Sequence, residues 1–181
     1  MSERNWEREL VERLAQFANP HSPNRAALAH LRRGLDGPLD YTLARVGWLF
    51  SSVPDSKDDL LLQSSVLAAG LFAWVKGDCP QAPGVNFGAA FGARLTQDKK
   101  QQREKRFIDL LDTDPEELHY KLRQALALIA RDAVGVDWVL LIRHLARWGH
   151  PDRWVQKEWA RGFWAASEAA TTFEHAQSVS D

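Results

Sequence analysis

Apolar residues recur along this chain with the spacing of a helix. Near the start, Trp6, Leu10, Leu14 and Phe17 follow one another at steps of four, four and three, which place their side chains on one helical face. This face ends close to Pro20, because proline does not continue a helix. No strand-like alternation of useful length occurs, so the sequence predicts an all-α protein.

Several of the predicted helices have clear start signals. Ser22 followed by Pro23 fits a cap and a first helical residue, and Asp137 fits the cap of a later helix. Asp114 stands before a proline and has Glu117 three positions later, as in a capping box. The predicted helices lie at 6–17, 23–35, 41–50, 57–75, 85–95, 106–111, 115–134, 138–148 and from 155 toward a polar tail.

A glycine-rich segment follows a predicted loop at 77–84, which contains two prolines and two glycines. Gly84, Gly88 and Gly92 are four residues apart, and so are Phe87 and Phe91. On a helix this spacing gives one smooth face and one aromatic face, which favours close approach to a neighbouring backbone. The lysine and hydroxyl residue of a phosphate-binding P-loop are absent, so tight packing is the favoured interpretation.

The helices group into two small lobes that pack together. We expect an N-terminal helical lobe at 1–76 and a C-terminal helical lobe at 107–175. Residues 77–106 are the predicted connection, made of a loop, a short helix and a basic connector, and 176–181 form a tail. The length of 181 residues suits one ordinary domain or two such lobes.

Composition narrows the cellular setting. The single cysteine, Cys79, has no partner for an internal disulfide, which favours a reducing compartment. The charged N-terminus differs from a signal peptide, and the apolar run at 60–75 is shorter than the roughly 20 residues that span a bilayer. We therefore expect a soluble cytoplasmic protein with no membrane partner.

Motifs of the common catalytic and metal sites are missing. None of the six histidines has a second histidine four residues away with a glutamate between them, and there is no Gly-x-Ser-x-Gly elbow. Asp109, Asp112 and Asp114 lie close enough in sequence to hold magnesium in principle, but turn and capping roles account for them better. The sequence thus predicts no metal, no cofactor and no catalysis.

The net charge of −1 gives no bulk attraction to nucleic acid, so the local placement of cations matters more. Residues 94–111 and 143–161 each carry a local charge of +3. Rows of cations at helical spacing are able to hold phosphates, or they are simply solvated helix faces. The eight tryptophans fall mostly at apolar helical positions, so core packing is favoured over base stacking for them.

An ordered series of segments resembles CasB, the small subunit of the type I-E CRISPR surveillance complex Cascade. Each segment is short, but their order and spacing together are specific. The matching segments are Ala27–Arg33, Ala69–Ala73, Val85–Leu95, Glu104–Leu111, Glu117–Arg123, Val136–Arg143 and Trp159–Trp164.

The resemblance implies a non-catalytic helical protein that sits as a pair in a guide-RNA complex with the other Cascade subunits. Its basic face is expected to help hold target DNA, above all the displaced strand. Six positions matching the family are the implied phosphate contacts: Arg32, Arg33, Lys57, Arg106, Arg123 and Arg143. Charge clustering alone adds Lys99, Lys100 and Arg103.

Two other functions remain open at this stage. A metal-dependent nuclease would use Asp109, Asp112 or Asp114. A helical adaptor that binds only proteins would have negligible affinity for DNA even at low salt.

Overall fold

The computed structural model describes residues 5–179, and within them it is an all-α protein, as predicted. Short 3-10 helices lie at Gly47–Phe50, Lys57–Asp59 and Gln97–Lys99. The α-helices are α1 (Trp6–Phe17), α2 (Arg25–Gly34), α3 (Leu39–Val46), α4 (Leu60–Trp74), α5 (Phe87–Gly92), α6 (Lys100–Leu111), α7 (Leu118–Arg131), α8 (Trp138–Leu145) and α9 (Trp154–Ser178).

Two of the predicted caps are wrong. The cap of α2 is Asn24, whose side chain accepts a hydrogen bond from the N–H of Ala27, and Ser22 lies in the preceding turn. Asp114 does not cap α7, because residues 114–117 form a separate turn closed by the Glu117 N–H on the Asp114 carbonyl.

The third predicted cap, Asp137, is confirmed, and it also secures the loop that precedes α5. Its carboxylate accepts hydrogen bonds from the N–H groups of Leu140 and Gly84 and from the side-chain amide of Gln81. Burial opposes ionisation of this carboxyl, yet these donors outweigh it and hold the pKa of Asp137 below its ordinary value.

Two predicted helices are divided and one is longer than expected. The α-helical part of 41–50 ends at Val46, and the α-helical part of 57–75 begins only at Leu60, because Asp58 and Asp59 have φ angles of 55° and 53°. By contrast, α6 begins at Lys100 rather than Arg106. The residues between them are strong helix formers, so most of the predicted connector is helical.

Helix α4 runs through the centre of the molecule and contacts α1, α2, α7 and α8. Its middle residues, among them Ala69 and Leu71, are fully buried. The hydrophobic core is one continuous cluster with residues from both predicted lobes. Cys79 lies in it, and burial, with Asp78 nearby, raises the pKa of its thiol to about 12.

Helices α5 and α9 pack with their backbones almost in contact. A Cβ atom on Gly88 would collide with the Trp159 carbonyl, and one on Gly92 would lie 2.5 Å from the Phe163 carbonyl oxygen. The phenyl ring of Phe87 stacks on Trp159 with centroids 4.7 Å apart. The predicted smooth face is thus confirmed at Gly88 and Gly92, and the aromatic face at Phe87. Gly84 does not belong to the smooth face, because α5 begins only at Phe87 and nothing lies within 4 Å of a Cβ on Gly84.

We expect Gly88→Ala to destabilise the fold by about 2 kcal/mol or more, because the carbonyl it meets belongs to a backbone that moves only with the whole of α9. The matched control is Gly47→Ala. Gly47 has a helical φ of −56°, and its nearest neighbour would be 3.9 Å from the new Cβ, so no loss is expected there. Urea unfolding of both variants checks this, and equal midpoints would contradict it.

The imidazole of His144 is buried between α8 and α9, and one of its two ring nitrogens accepts a hydrogen bond. The indole N–H of Trp159 donates to its Nδ1 at 2.7 Å, so Nε2 carries the proton and faces Glu158 Oε2 at 3.6 Å. Burial lowers the pKa of His144, and the nearby carboxylates of Glu158 and Asp137 oppose this only in part. Protonation of Nδ1 would place its N–H against the indole N–H of Trp159, so that two donors would face each other.

Stability is therefore expected to fall as the pH drops below about 6.5, where the unfolded chain takes up a proton that the folded chain resists. The slope from this group is at most about 1.4 kcal/mol per pH unit. We expect His144→Asn, whose amide oxygen is able to accept from Trp159, to flatten that part of the curve. Urea unfolding at several pH values tests this, and parallel curves for parent and variant would refute it.

Candidate nucleic-acid interface

Arg103 was predicted to contact phosphate on charge clustering alone, but the structure places its side chain in the interior. Its side chain is only 5% exposed, and its guanidinium donates to the Phe91 carbonyl at 3.1 Å and to Asp132 at 2.9 Å. The guanidinium also lies over the Phe91 ring, 4.7 Å from its centroid. Arg103 lies on α6, and its two partners lie on α5 and at the end of α7, so its hydrogen bonds connect these three helices.

Arg123 is also engaged within the protein. It donates to both carboxylate oxygens of Asp36 at 2.9 Å, and its guanidinium lies 4.8 Å from the centroid of the Trp74 ring. Asp36 follows α2, so this pair connects the first part of the chain to α7.

Arg143 forms a second connection of this kind. Its Nε donates to Glu7 Oε1 at 2.9 Å, which joins α8 to α1. This hydrogen bond raises the pKa of the guanidinium above its ordinary value. Half of the Arg143 side chain remains exposed, so Arg143 is more accessible to a ligand than the buried Arg103.

The remaining predicted cations are at the surface. Lys100 is half-buried and 4.0 Å from Glu104 one turn along α6. Arg32 and Arg33 lie in the last turn of α2, where positive charge is favourable at the helix end, and Lys57 is exposed before α4. Arg32, Arg33 and Lys57 therefore lie on different elements from the two remaining predicted cations, Lys99 and Arg106.

Lys99 and Arg106 are brought together at a groove between α6 and α7. Above the buried Arg103, the groove holds a cavity of about 120 Å³ whose charged lining side chains are all cations. Lys99, Arg106 and Arg131 are exposed around it, and the charge of Arg103 is matched by Asp132. The residues lining this cavity, here called the basic cavity, are Lys99, Gln102, Arg103, Arg106, Leu128 and Arg131.

A second cavity of about 80 Å³ continues the groove and shares Arg106 and Leu128 with the first. Its floor is apolar and contains Phe91 and Leu110. Its rim carries Asp109, Lys121 and Gln124. We call it the apolar cavity, and the two cavities together form the α6–α7 groove.

The sequence-based interpretation missed Lys121 and Arg131. Both lie on the face of α7 toward α6, because 121, 124, 128 and 131 are three or four residues apart. That spacing was present in the sequence. Only the packing of α6 against α7 shows that this face meets the Lys99 and Arg106 row.

The aspartates considered for a nuclease do not form a metal site. Asp112 is engaged by Arg153 at 3.3 Å, Asp109 lies at the groove, and Asp114 is in the turn before α7. Across residues 5–179, no group of three or more histidine, cysteine, aspartate or glutamate side chains is placed to hold a metal ion. No helix of the same residues is long and apolar enough to span a membrane.

Fold and surface together define a class: a small all-helical protein with a cationic groove between two helices. Comparison with known proteins gives the family. The sequence profile of the CRISPR-associated protein Cse2 matches residues 27–164, which is most of the chain. The chain belongs to the Cse2 family, also called CasB, and the resemblance found in the sequence is confirmed.

Individual relatives agree with this assignment. The CRISPR-associated protein Cse2 of Thermus thermophilus is 43% identical over 63 residues, which are 35% of this chain and 36% of that protein. The matched stretch thus spans about a third of that relative's length. The crystal structure of M. ruber CasB has a TM-score of 0.71 and 29% identity, covering 91% of this chain and 95% of that one.

A chain in a structure described as a CRISPR RNA-guided surveillance complex has the same fold. It gives a TM-score of 0.67 at 22% identity, and the match covers 91% of this chain and 94% of that one.

We expect Arg103→Ala to cost about 3 kcal/mol of stability, because it leaves Asp132 and the Phe91 carbonyl without their buried partner. Arg106→Ala is the matched control, since Arg106 is exposed on the same helix and the described residues offer it no hydrogen bond or ion pair. Its effect should stay within about 0.5 kcal/mol. Thermal and urea unfolding measure both, and a well-tolerated Arg103→Ala would show that the buried pair has no structural role.

Proposed function

We propose that this protein is a non-catalytic small subunit of a CRISPR RNA-guided surveillance complex, where it holds the backbone of target DNA and stabilises the displaced strand. Its partners are the other Cascade subunits, the guide RNA and a second copy of the chain. Family membership and the fold shared with a chain of a surveillance complex support the assembly.

The observation that carries the DNA-binding role is the basic cavity. Lys99, Arg106 and Arg131 are exposed around it with no carboxylate among the lining residues. A chain of net charge −1 therefore has a local surface suited to phosphate. Lys121 extends this surface along the groove. We thus propose Lys99, Arg106, Lys121 and Arg131 as the main contacts, with Arg32, Arg33, Lys57 and Lys100 as outlying ones.

Arg103, Arg123 and Arg143 contribute less to DNA in this proposal. Each donates a hydrogen bond to a carboxylate of the protein at 2.9 Å. A phosphate would have to compete with that partner. Their main role is to fix the helices that carry the exposed cations.

Backbone contacts are sufficient for such a function. When guide RNA pairs with target DNA, the new hybrid is about as stable as the duplex it replaces. A few contacts to the displaced strand therefore tip the balance, and they need not read sequence. Each exposed contact is worth about 1 kcal/mol or less, so several must act together.

The adaptor alternative has one specific observation in its favour. A third cavity, of about 430 Å³ and separate from the α6–α7 groove, lies where α4, the turn before α7 and the end of α8 meet. Leu60 and Leu67 are among its lining residues. Such a surface suits a protein contact. A protein contact at this cavity is compatible with DNA binding at the groove. The adaptor role therefore becomes the main function only if the groove does not bind DNA.

The test is a combined Lys99→Ala, Arg106→Ala and Arg131→Ala variant. We expect it to bind single-stranded DNA about tenfold to a hundredfold more weakly at low salt, with the slope of log affinity against log salt reduced by about 2. Reconstituted with its cognate subunits and guide RNA, it should assemble normally on size-exclusion chromatography but show less permanganate reactivity in the displaced strand.

The control variant removes three exposed cations away from the groove, Arg13, Arg25 and Lys157. It has the same net charge as the groove variant, so a difference between them reports position rather than bulk charge. If the groove variant binds and opens target DNA like the parent at every salt concentration, the adaptor function replaces this proposal.

A further inference from the structure

The α6–α7 groove has an apolar part that backbone binding does not use. The basic cavity suits a phosphate, whereas the adjoining apolar cavity has Phe91, Leu110, Ala125 and Leu128 among its lining residues. A polyanion that touched only the cations would leave this second cavity unfilled. The pairing of a cationic end with an apolar end matches a ligand that is itself charged at one end and apolar at the other.

The two cavities are close enough for one small unit to occupy both. They share Arg106 on α6 and Leu128 on α7, so no further residue separates them. In a nucleotide, the phosphate and the base are likewise joined through a single sugar. Arg106 is then positioned between the phosphate and the base.

We propose that the α6–α7 groove binds one nucleotide of a single strand, with its phosphate in the basic cavity and its base inserted edge-first into the apolar cavity. This inference rests on the proposed function and adds a base-binding subsite to it. Duplex DNA is excluded from this mode, because its bases are stacked and paired and only a splayed base reaches the cavity.

Size and rim chemistry indicate which bases fit. The apolar cavity offers about 80 Å³, less than the roughly 150 Å³ of an engineered cavity that encloses benzene, so only part of a ring enters and a pyrimidine fits better than a purine. The rim supplies hydrogen-bond partners for the edge of the base. Asp109 accepts, and the amide of Gln124 both accepts and donates.

The test compares two fluorescent oligonucleotides of about 12 residues, within the usual site size of single-strand binders. One is oligo-dT and the other has the same phosphates but abasic sugars. We expect the parent protein to bind oligo-dT about tenfold more tightly than the abasic strand, and oligo-dA to lie between them. Their salt slopes should be equal, because the phosphate contacts are the same.

The variant that closes the subsite is Ala125→Leu, which fills the apolar cavity from α7. It should bind oligo-dT and the abasic strand equally, at the affinity that the parent has for the abasic strand. Because Ala125 is buried, Gln124→Leu at the exposed rim provides a second variant that does not disturb the core. It should reduce the preference for oligo-dT in the same direction.

Gln101→Leu is the matched control, since Gln101 is exposed on α6 and lines neither cavity. It should keep the full preference. Equal binding of oligo-dT and the abasic strand by the parent would overturn the base subsite and leave backbone binding intact. Absence of binding to both strands at low salt would overturn the proposed function itself.

Discussion

The close approach of α5 and α9 is the contact on which the candidate interface depends. Gly88 and Gly92 let the backbone of α5 rest against the carbonyls of Trp159 and Phe163. This fixes Phe91, and the Phe91 carbonyl and ring in turn hold the buried Arg103. Arg103 forms the floor of the basic cavity, so the geometry of a surface groove is set by a helix contact in the core.

Charged residues in this protein perform two separate tasks. Those paired with a carboxylate, such as Arg123 with Asp36 and Arg143 with Glu7, join segments that are far apart in sequence. Those that have no carboxylate partner within residues 5–179, such as Arg106, are exposed at the groove. Because the paired cations are neutralised locally, the positive charge at the groove comes mainly from the unpaired ones, although the chain has a net charge of only −1.

Helix periodicity predicted most of the fold because burial follows local spacing, as the buried Leu10, Leu14, Trp159 and Phe163 show. The candidate site was less predictable. The partners of Arg103 are 12 and 29 residues away, so its burial depends on tertiary packing that no local pattern contains. Arg131 was missed for the same reason, since it comes close to Lys99 only when α7 packs beside α6.

The buried thiol of Cys79 has a practical consequence. As the single cysteine of the chain, with its pKa raised to about 12, it has almost no thiolate at neutral pH and reacts slowly with maleimides. A cysteine introduced on the surface of α9 or near the α6–α7 groove is therefore able to carry a fluorophore site-selectively without removal of the native residue. Energy transfer between that fluorophore and a labelled oligonucleotide would then report whether a strand lies at the groove.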